Sequence, residues 1–166
     1  NLPFSASEAD IRELFNEFGA VTDMHIPLDR DTGRPTIEQI VWADDAGHIV
    51  HPELAKGQLI GGLAQGLGQA MFEKLVYDDA GQLITGSLMD YAVPRADDMP
   101  PIDIHSFAIP SPNNLLGAKG VGEAGCIGVP AALMNAARDA LSPMGECPLQ
   151  FPLTAEQFWR AMNGQA

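Results

Sequence analysis

The sequence predicts a mixed α+β fold, and three observations support that prediction. Hydrophobic residues make up 46% and charged residues 19% of the 166 residues, a balance typical of a globular chain with a core. Apolar residues recur at helical spacing within 7–19, 53–74 and 123–141. Short apolar runs bounded by turn residues, such as 40–43 and 102–109, are typical of strands.

The first 36 residues differ in style from the remainder. Ser7 is a suitable N-cap for a helix that ends near Gly19. A strand is predicted over 21–28, followed by a polar loop over 29–35.

The next elements are two short strands, 40–43 and 48–50, around a turn in which Asp44 and Asp45 are predicted to be solvated. A helix follows over 53–74, although it contains five glycines. Each interior glycine costs about 1 kcal/mol relative to alanine, so close approach of another backbone or of a ligand is expected at some of them. The five are Gly57, Gly61, Gly62, Gly66 and Gly68.

The C-terminal half begins with a hairpin candidate around residues 78–81, followed by the strand at 102–109. The helix predicted over 123–141 is imperfect at Gly128 and Pro130. A capping box at 154–157 marks the start of the last helix.

Charge and cysteine usage exclude several classes of protein. Nine Lys plus Arg face 22 Asp plus Glu, a net charge of -13 that argues against RNA, DNA and anionic membranes as partners. Cys126 and Cys147 form no CxxC pair, which argues against a disulfide framework or a zinc site, and no metal ligand is predicted. No apolar run is long enough for a transmembrane helix, and no signal peptide is apparent. We therefore expect a cytoplasmic piece of a longer protein.

Glycines are most concentrated at 117–125, where residues 120–125 match GxGxxG. A dinucleotide site would need a strand directly before this motif, but a loop rich in Pro and Asn precedes it. A glycine loop that enters a helix can instead hold an anion through its backbone N–H groups. Glu123 at this entry either offsets the helix dipole or acts as a general base.

The second glycine-rich stretch, 61–69, leaves two interpretations open. The glycines allow tight packing in a core, whereas Gln65 could offer its amide to a polar cofactor. A membrane helix interface is disfavoured because the stretch is short and carries two glutamines.

Residues 38–163 resemble the C-terminal part of the molybdenum-binding large subunit of the xanthine dehydrogenase, aldehyde oxidase and aerobic carbon monoxide dehydrogenase family. The resemblance rests on motifs that occur in the family's order. They are His51-Pro52, Gly57-Gln58, the GGLAQGLG stretch at 61–68, MDYAVP at 89–94, PSPNN at 110–114, GAKGVGEAG at 117–125 and Pro152-Leu153-Thr154.

This resemblance implies an oxidoreductase that hydroxylates an aldehyde, an N-heterocycle or a related small molecule, with Glu123 as the active-site base. It implies a molybdenum–molybdopterin cofactor, in a dinucleotide form, and partners that carry iron-sulfur clusters and FAD. Only part of the cofactor site lies in this chain, so we expect no activity from it alone. The implied cofactor-binding residues are Gln65, Gly62, Gly66, Lys119, Gly120 and Gly122.

Residues 1–36 resemble a truncated RNA recognition motif, which places a domain boundary before residue 37 and predicts a fusion. The aromatic third strand of that motif is missing, and residues 1–35 carry three Arg against seven acidic residues. RNA binding through this segment is therefore disfavoured. Two alternatives to the enzyme remain open, a nonenzymatic interaction module and an RNA-binding protein.

Overall fold

The structure of the chain, a computed structural model, describes residues 27–165 and has a mixed α/β architecture. The predicted helix at 7–19 and most of the predicted strand at 21–28 lie outside the described residues. A π-helical turn, Gly68–Phe72, extends the first helix, and short 3-10 turns lie at Ala96–Asp98 and Ser142–Met144. The main elements are β1 (Ile40–Asp44), α1 (Pro52–Leu67), β2 (Ile102–Ser106), α2 (Ala124–Ile127), α3 (Val129–Leu141) and α4 (Ala155–Met162).

The two strands form a parallel pair, in which Ile40 lies opposite Ile102 and Asp44 opposite Ser106. Parallel strands need a long crossover, and here the crossover contains α1. The predicted strand at 48–50 is wrong. The backbone N–H of His48 donates instead to the Gly117 carbonyl at 2.9 Å. The glycine loop therefore accepts a hydrogen bond that would otherwise be available to a strand at 48–50.

Helix α1 with its π-helical turn confirms the helix predicted over 53–74 to within two residues at each end. His51 caps it, since its Nδ1 accepts a hydrogen bond from the Leu54 N–H at 3.3 Å. Pro52 occupies the first turn, where its missing N–H has no intrahelical partner to lose.

Two of the α1 glycines allow another backbone to approach closely. A Cβ added to Gly62 would lie 2.9 Å from the Cα of Gly125, and one added to Gly66 would lie 2.7 Å from the Cβ of Val129. Helix α1 therefore packs directly on α2 and on the start of α3, which confirms the expected close backbone approach. Gly57 and Gly61 have nothing within 4 Å of an added Cβ.

The helix predicted over 123–141 is two helices, α2 and α3, separated by Gly128. Pro130 explains the break, because it has no N–H to donate and fits only the first turn of α3. The Trp42 ring lies 3.1 Å from where a Cβ on Gly128 would be.

The core lies between α1, α3 and α4. Thr154 is the N-cap of α4, and its Oγ1 accepts a hydrogen bond from the Gln157 N–H at 3.4 Å, as the capping box predicts. The largest fully buried side chains are Leu63, Leu67, Leu133, Leu141, Leu153 and Phe158.

The described part of the N-terminal segment packs onto this same core. Leu28 pairs with Pro35 in an antiparallel bridge and contacts the core cluster. Gly33 is buried against α4, where an added Cβ would lie 2.2 Å from the Ala155 carbonyl oxygen and 2.7 Å from the Trp159 Cβ. This segment thus contacts the core through Leu28 and the C-terminal helix through Gly33.

Candidate active site

The glycine loop 117–122 runs beside the turn that follows β1. The Gly117 carbonyl accepts hydrogen bonds from His48 N–H and Ser111 N–H, both at 2.9 Å. The Lys119 N–H donates to the Ala46 carbonyl at 2.9 Å, so backbone contacts fix the first half of the loop.

Asp45, predicted to be a solvated turn residue, is exposed and accepts a turn hydrogen bond, but it also binds two distant groups. Its Oδ1 accepts from the Gly47 N–H at 2.9 Å and from the Ile109 N–H at 3.0 Å. Its Oδ2 accepts from Lys119 Nζ in an ion pair. The hydrogen bond from Lys119, followed by those from the two backbone N–H groups, lowers the pKa of Asp45 to about 2.

Asp44 also departs from the prediction of a solvated turn residue. Both of its carboxylate oxygens are buried and have no hydrogen-bond partner, and the same is true of Trp42 Nε1. Trp42 and Asp44 are two positions apart on β1 and so point to the same face of the strand. Burial raises the pKa of Asp44, and the nearby charge of Asp45 adds to the effect.

The second half of the loop is held by α1. Gln58 Nε2 donates a hydrogen bond to the Gly122 carbonyl at 2.7 Å. Only the amide nitrogen of Gln58 can be the donor here, because the acceptor is a carbonyl oxygen.

Glu123 lies directly after this contact, at the start of α2. The residue is exposed, and its side chain makes no capping hydrogen bond to the helix. Its carbonyl oxygen accepts from the Cys126 N–H at 3.1 Å, which begins the helix. The carboxylate is therefore not used in capping α2.

Gln65 lies on the same face of α1 as Gln58. The two are seven residues apart, which corresponds to nearly two full turns and about 10 Å along the helix axis. Gln65 is exposed, as the cofactor interpretation requires. The face of α1 that contacts the peptide before Glu123 thus also carries the predicted cofactor residue.

The remaining predicted cofactor residues fall into two groups. Gly62 and Gly66 are buried in the contact of α1 with α2 and α3, which favours the packing interpretation for them. Gly120 and Gly122 are exposed, with nothing within 4 Å of an added Cβ. Lys119 is paired with Asp45, as described above.

An open groove of about 490 Å³ lies between the glycine loop and α1. Its walls are the turn after β1, the first two turns of α1 and the glycine loop. Residues on its walls include His48, His51, Leu54, Gln58, Lys119 and Gly122.

Sequence reasoning missed the roles of Gln58 and Asp45. The spacing of seven between Gln58 and Gln65 was the available signal for a shared helix face. Asp45 gave no comparable signal, because two of its three partners, Ile109 and Lys119, lie 64 and 74 positions away in the chain.

The fit of these residues to a molybdopterin cofactor rests on hydrogen bonding and open space. Within residues 27–165, no three His, Cys, Asp or Glu side chains are grouped so that they could hold a metal ion. The exposed Gln65 amide can donate and accept hydrogen bonds. The space beside Gly120 and Gly122 leaves room for a bulky group next to the backbone.

Comparison with protein families shows to which family the chain belongs. A family model described as "Molybdopterin cofactor-binding domain" matches residues 7–100, more than half of the chain. The chain belongs to this family.

Relatives of this cofactor-binding domain are large subunits of oxidoreductases. The nicotine 6-hydroxylase large subunit of Paenarthrobacter nicotinovorans is 39% identical over 163 residues, covering 98% of this chain and 20% of that protein. The carbon monoxide dehydrogenase large chain of Hydrogenophaga pseudoflava is 32% identical over 138 residues, covering 83% and 17%. The chain is homologous to the large subunits of the xanthine dehydrogenase and carbon monoxide dehydrogenase family.

Solved structures support the same assignment. The crystal structure of quinoline 2-oxidoreductase from Pseudomonas putida 86 matches with a TM-score of 0.79 and 35% identity, covering 85% of this chain and 18% of that chain. The cofactor-binding domain described here thus spans about a fifth of the length of its relatives.

The predicted resemblance of residues 1–36 to an RNA recognition motif is not supported. The family match begins at residue 7, and the alignment with nicotine 6-hydroxylase covers 98% of the chain, so both include most of this segment. A fusion near residue 36 is likewise unsupported. In the part of the chain that the structure describes, no helix is both long and apolar enough to cross a membrane.

Proposed function

We propose that this chain is the part of a molybdenum hydroxylase large subunit that supplies the active-site base, Glu123. The observation that carries the proposal is the Glu123 carboxylate, which is exposed and makes no capping hydrogen bond to α2. It follows a glycine loop that is hydrogen-bonded to Gln58 of α1. A carboxylate in this position is free to accept a proton, as a general base must.

In this proposal each of the remaining residues has a limited task. Gln65 hydrogen-bonds the cofactor through its amide, and Gly120 and Gly122 leave room for it beside the loop. When bound, the molybdenum–molybdopterin group, in a dinucleotide form, would supply the oxygen-transfer and two-electron redox chemistry. Glu123 takes up the proton released as the substrate carbon is hydroxylated.

The substrate we propose is an aldehyde, an N-heterocycle or a related small molecule. Two relatives are named for nicotine and quinoline, which are nitrogen heterocycles, and they have 39% and 35% identity. The relative named for carbon monoxide has 32%. The relatives named for nitrogen heterocycles thus have the higher sequence identity to this chain, which favours a nitrogen heterocycle as the substrate.

We also propose that the complete protein assembles with iron-sulfur and FAD-binding subunits, since relatives are named as a large subunit and a complex subunit. Residues 27–165 contribute only part of the cofactor site. The chain alone is therefore expected to purify without cofactor and without turnover.

The test is Glu123→Gln in the full-length protein loaded with its cofactor. The amide keeps the size of the side chain but cannot act as a base, so turnover with a heterocyclic substrate should fall by at least about 100-fold. Molybdenum and nucleotide content should match the unmodified protein. Glu146→Gln, which changes another exposed glutamate, is the control and should leave turnover intact. Retained turnover in Glu123→Gln would refute the assignment of the base.

A further inference from the structure

The segment just before Glu123 has little packing of its own. Gly120 and Gly122 are exposed, with nothing within 4 Å of an added Cβ, and Val121 between them is only half-buried. Side chains in this segment therefore do little to fix the direction in which Glu123 leaves the loop. A backbone hydrogen bond from the Ala124 N–H to the Val121 carbonyl, at 3.3 Å, closes the turn around Glu123. The remaining contacts that hold its position lie at the two ends of the segment.

The first of these contacts acts on the peptide bond that joins Gly122 to Glu123. Gln58 Nε2 donates to the Gly122 carbonyl at 2.7 Å. Because the peptide unit is planar, holding this oxygen also holds the N–H and the Cα of Glu123 in the same plane. Gln58 thus constrains the backbone from which the proposed base projects.

The second contact is the ion pair of Asp45 with Lys119, at the other end of the segment. Oδ1 of Asp45 is itself fixed by the N–H groups of Gly47 and Ile109, at 2.9 and 3.0 Å. The carboxylate that receives Lys119 Nζ is therefore held in place by two further bonds.

We propose that Gln58 and Asp45 are positioning residues that hold Glu123 in its working orientation from opposite ends of the glycine segment. This inference rests on the proposed function of Glu123 as the base. Both residues act on Glu123 through the loop backbone or through Lys119.

The experiment uses the full-length, cofactor-loaded protein with Gln58→Leu. The change removes the amide donor while keeping a side chain of similar bulk on an exposed helix surface. Misplacement of a catalytic group by about 1 Å can lower the rate about 100-fold, so kcat should fall about 10- to 100-fold while KM changes by less than about threefold. Amide hydrogen exchange in the peptide covering 118–126 should become faster.

The matched control is Gln82→Leu. Gln82 is also exposed and its Nε2 also donates to a backbone carbonyl, that of Leu83 at 3.3 Å. It lies far from the glycine loop, in the predicted hairpin, which the structure confirms by an antiparallel bridge between Tyr77 and Leu83. This variant should leave kcat and the exchange of 118–126 unchanged.

A double variant separates positioning from general damage. If Gln58 acts through Glu123, adding Gln58→Leu to Glu123→Gln should lower the remaining rate by less than about twofold. If Gln58→Leu instead lowers the rate of the Glu123→Gln protein by the same factor as it lowers that of the unmodified protein, the positioning role is wrong.

Failure of this inference can be told apart from failure of the proposed function. Unchanged turnover in Glu123→Gln would remove the base itself. If instead Glu123→Gln abolishes turnover while Gln58→Leu keeps both kcat and the exchange of 118–126 at control levels, only the positioning role is wrong.

Asp45→Asn is the second variant. It tests the positioning role if Gln58→Leu yields too little cofactor-loaded protein to measure. Asparagine keeps an oxygen for the Gly47 and Ile109 N–H groups but loses the charge that pairs with Lys119. We expect about a tenfold lower kcat and faster exchange at 118–126. Values equal to those of Gln82→Leu would overturn the proposal.

Discussion

Gly62 of α1 and Gly125 of α2 lie in direct backbone contact: a Cβ added to Gly62 would come within 2.9 Å of the Gly125 Cα. A Cβ on Gly125 would meet the Leu59 carbonyl oxygen at 2.3 Å. This contact sets how closely α1, with Gln65, approaches the helix that Glu123 begins.

Gly125→Ala should therefore lower the free energy of unfolding by about 1 to 3 kcal/mol, because the backbone must shift to admit the methyl group. Gly57→Ala is the matched control, since an added Cβ there meets nothing within 4 Å. The control should raise the free energy of unfolding by up to about 1 kcal/mol through helix propensity. Urea denaturation measures both, and equal effects would contradict the packing described.

Docking of residues 27–36 on α4 can be tested at a second pair of glycines. Gly33 and Gly81 both have positive φ, 71° and 81°, so alanine is strained at either position by about 1 kcal/mol. Only Gly33 is also packed, against Ala155 and Trp159. We expect Gly33→Ala to lower the free energy of unfolding by about 1 to 3 kcal/mol more than Gly81→Ala. Equal losses in urea denaturation would mean that this loop does not pack on α4.

The Asp45–Lys119 pair should make stability depend on pH in acid. The pKa of Asp45 is about 2 in the folded chain against an ordinary 3.8, so the folded state binds this proton less tightly than the unfolded state. Its contribution is complete above about pH 4 and is lost as the pH falls toward about 2. Asp45→Asn should lower Tm near neutral pH, and the difference from the unmodified chain should shrink over that acid range. A constant difference would contradict the shifted pKa.

Asp44 should have the opposite effect. Its pKa is raised by burial and by Asp45, so its ionised form is disfavoured in the folded state and lowers stability above its ordinary pKa. Asp44→Asn should therefore raise Tm at neutral pH, with a smaller gain in acid, where the carboxyl group is protonated in both states. Asp79→Asn, in the exposed hairpin turn, should leave Tm nearly unchanged at both pH values. A gain for Asp44→Asn that does not depend on pH would rule out charge burial as its cause.

Local signals in the sequence predicted α1 and the start of α4, but they predicted α2 and α3 as a single helix. The apolar spacing of α1 and the capping residue Thr154 depend on neighbours within one or two turns, and the structure confirms both. The expected close approach is confirmed at Gly62 and Gly66, whereas an added Cβ on Gly57 or Gly61 meets nothing within 4 Å.

Local sequence patterns could not predict which distant segments of the chain pair with each other. The strand predicted at 48–50 followed from a turn signal at 44–47, yet β1 pairs with a strand that begins near residue 102. Asp44 and Asp45 looked like turn residues because acidic pairs beside glycine usually are. Only the folded chain brings Lys119 to Asp45 and leaves the Asp44 carboxylate without a hydrogen-bond partner.

The two side-chain contacts that hold the loop before Glu123 join residues 64 and 74 positions apart, Gln58 with Gly122 and Asp45 with Lys119. Contacts of this span form only after large chain loops have closed. A short peptide containing the glycine loop would therefore lack its shape, and the acidic side chain reaches its final direction late in folding. Under the proposed function, a chain in which α1 or β1 packs incorrectly would lose activity although every reactive side chain is present.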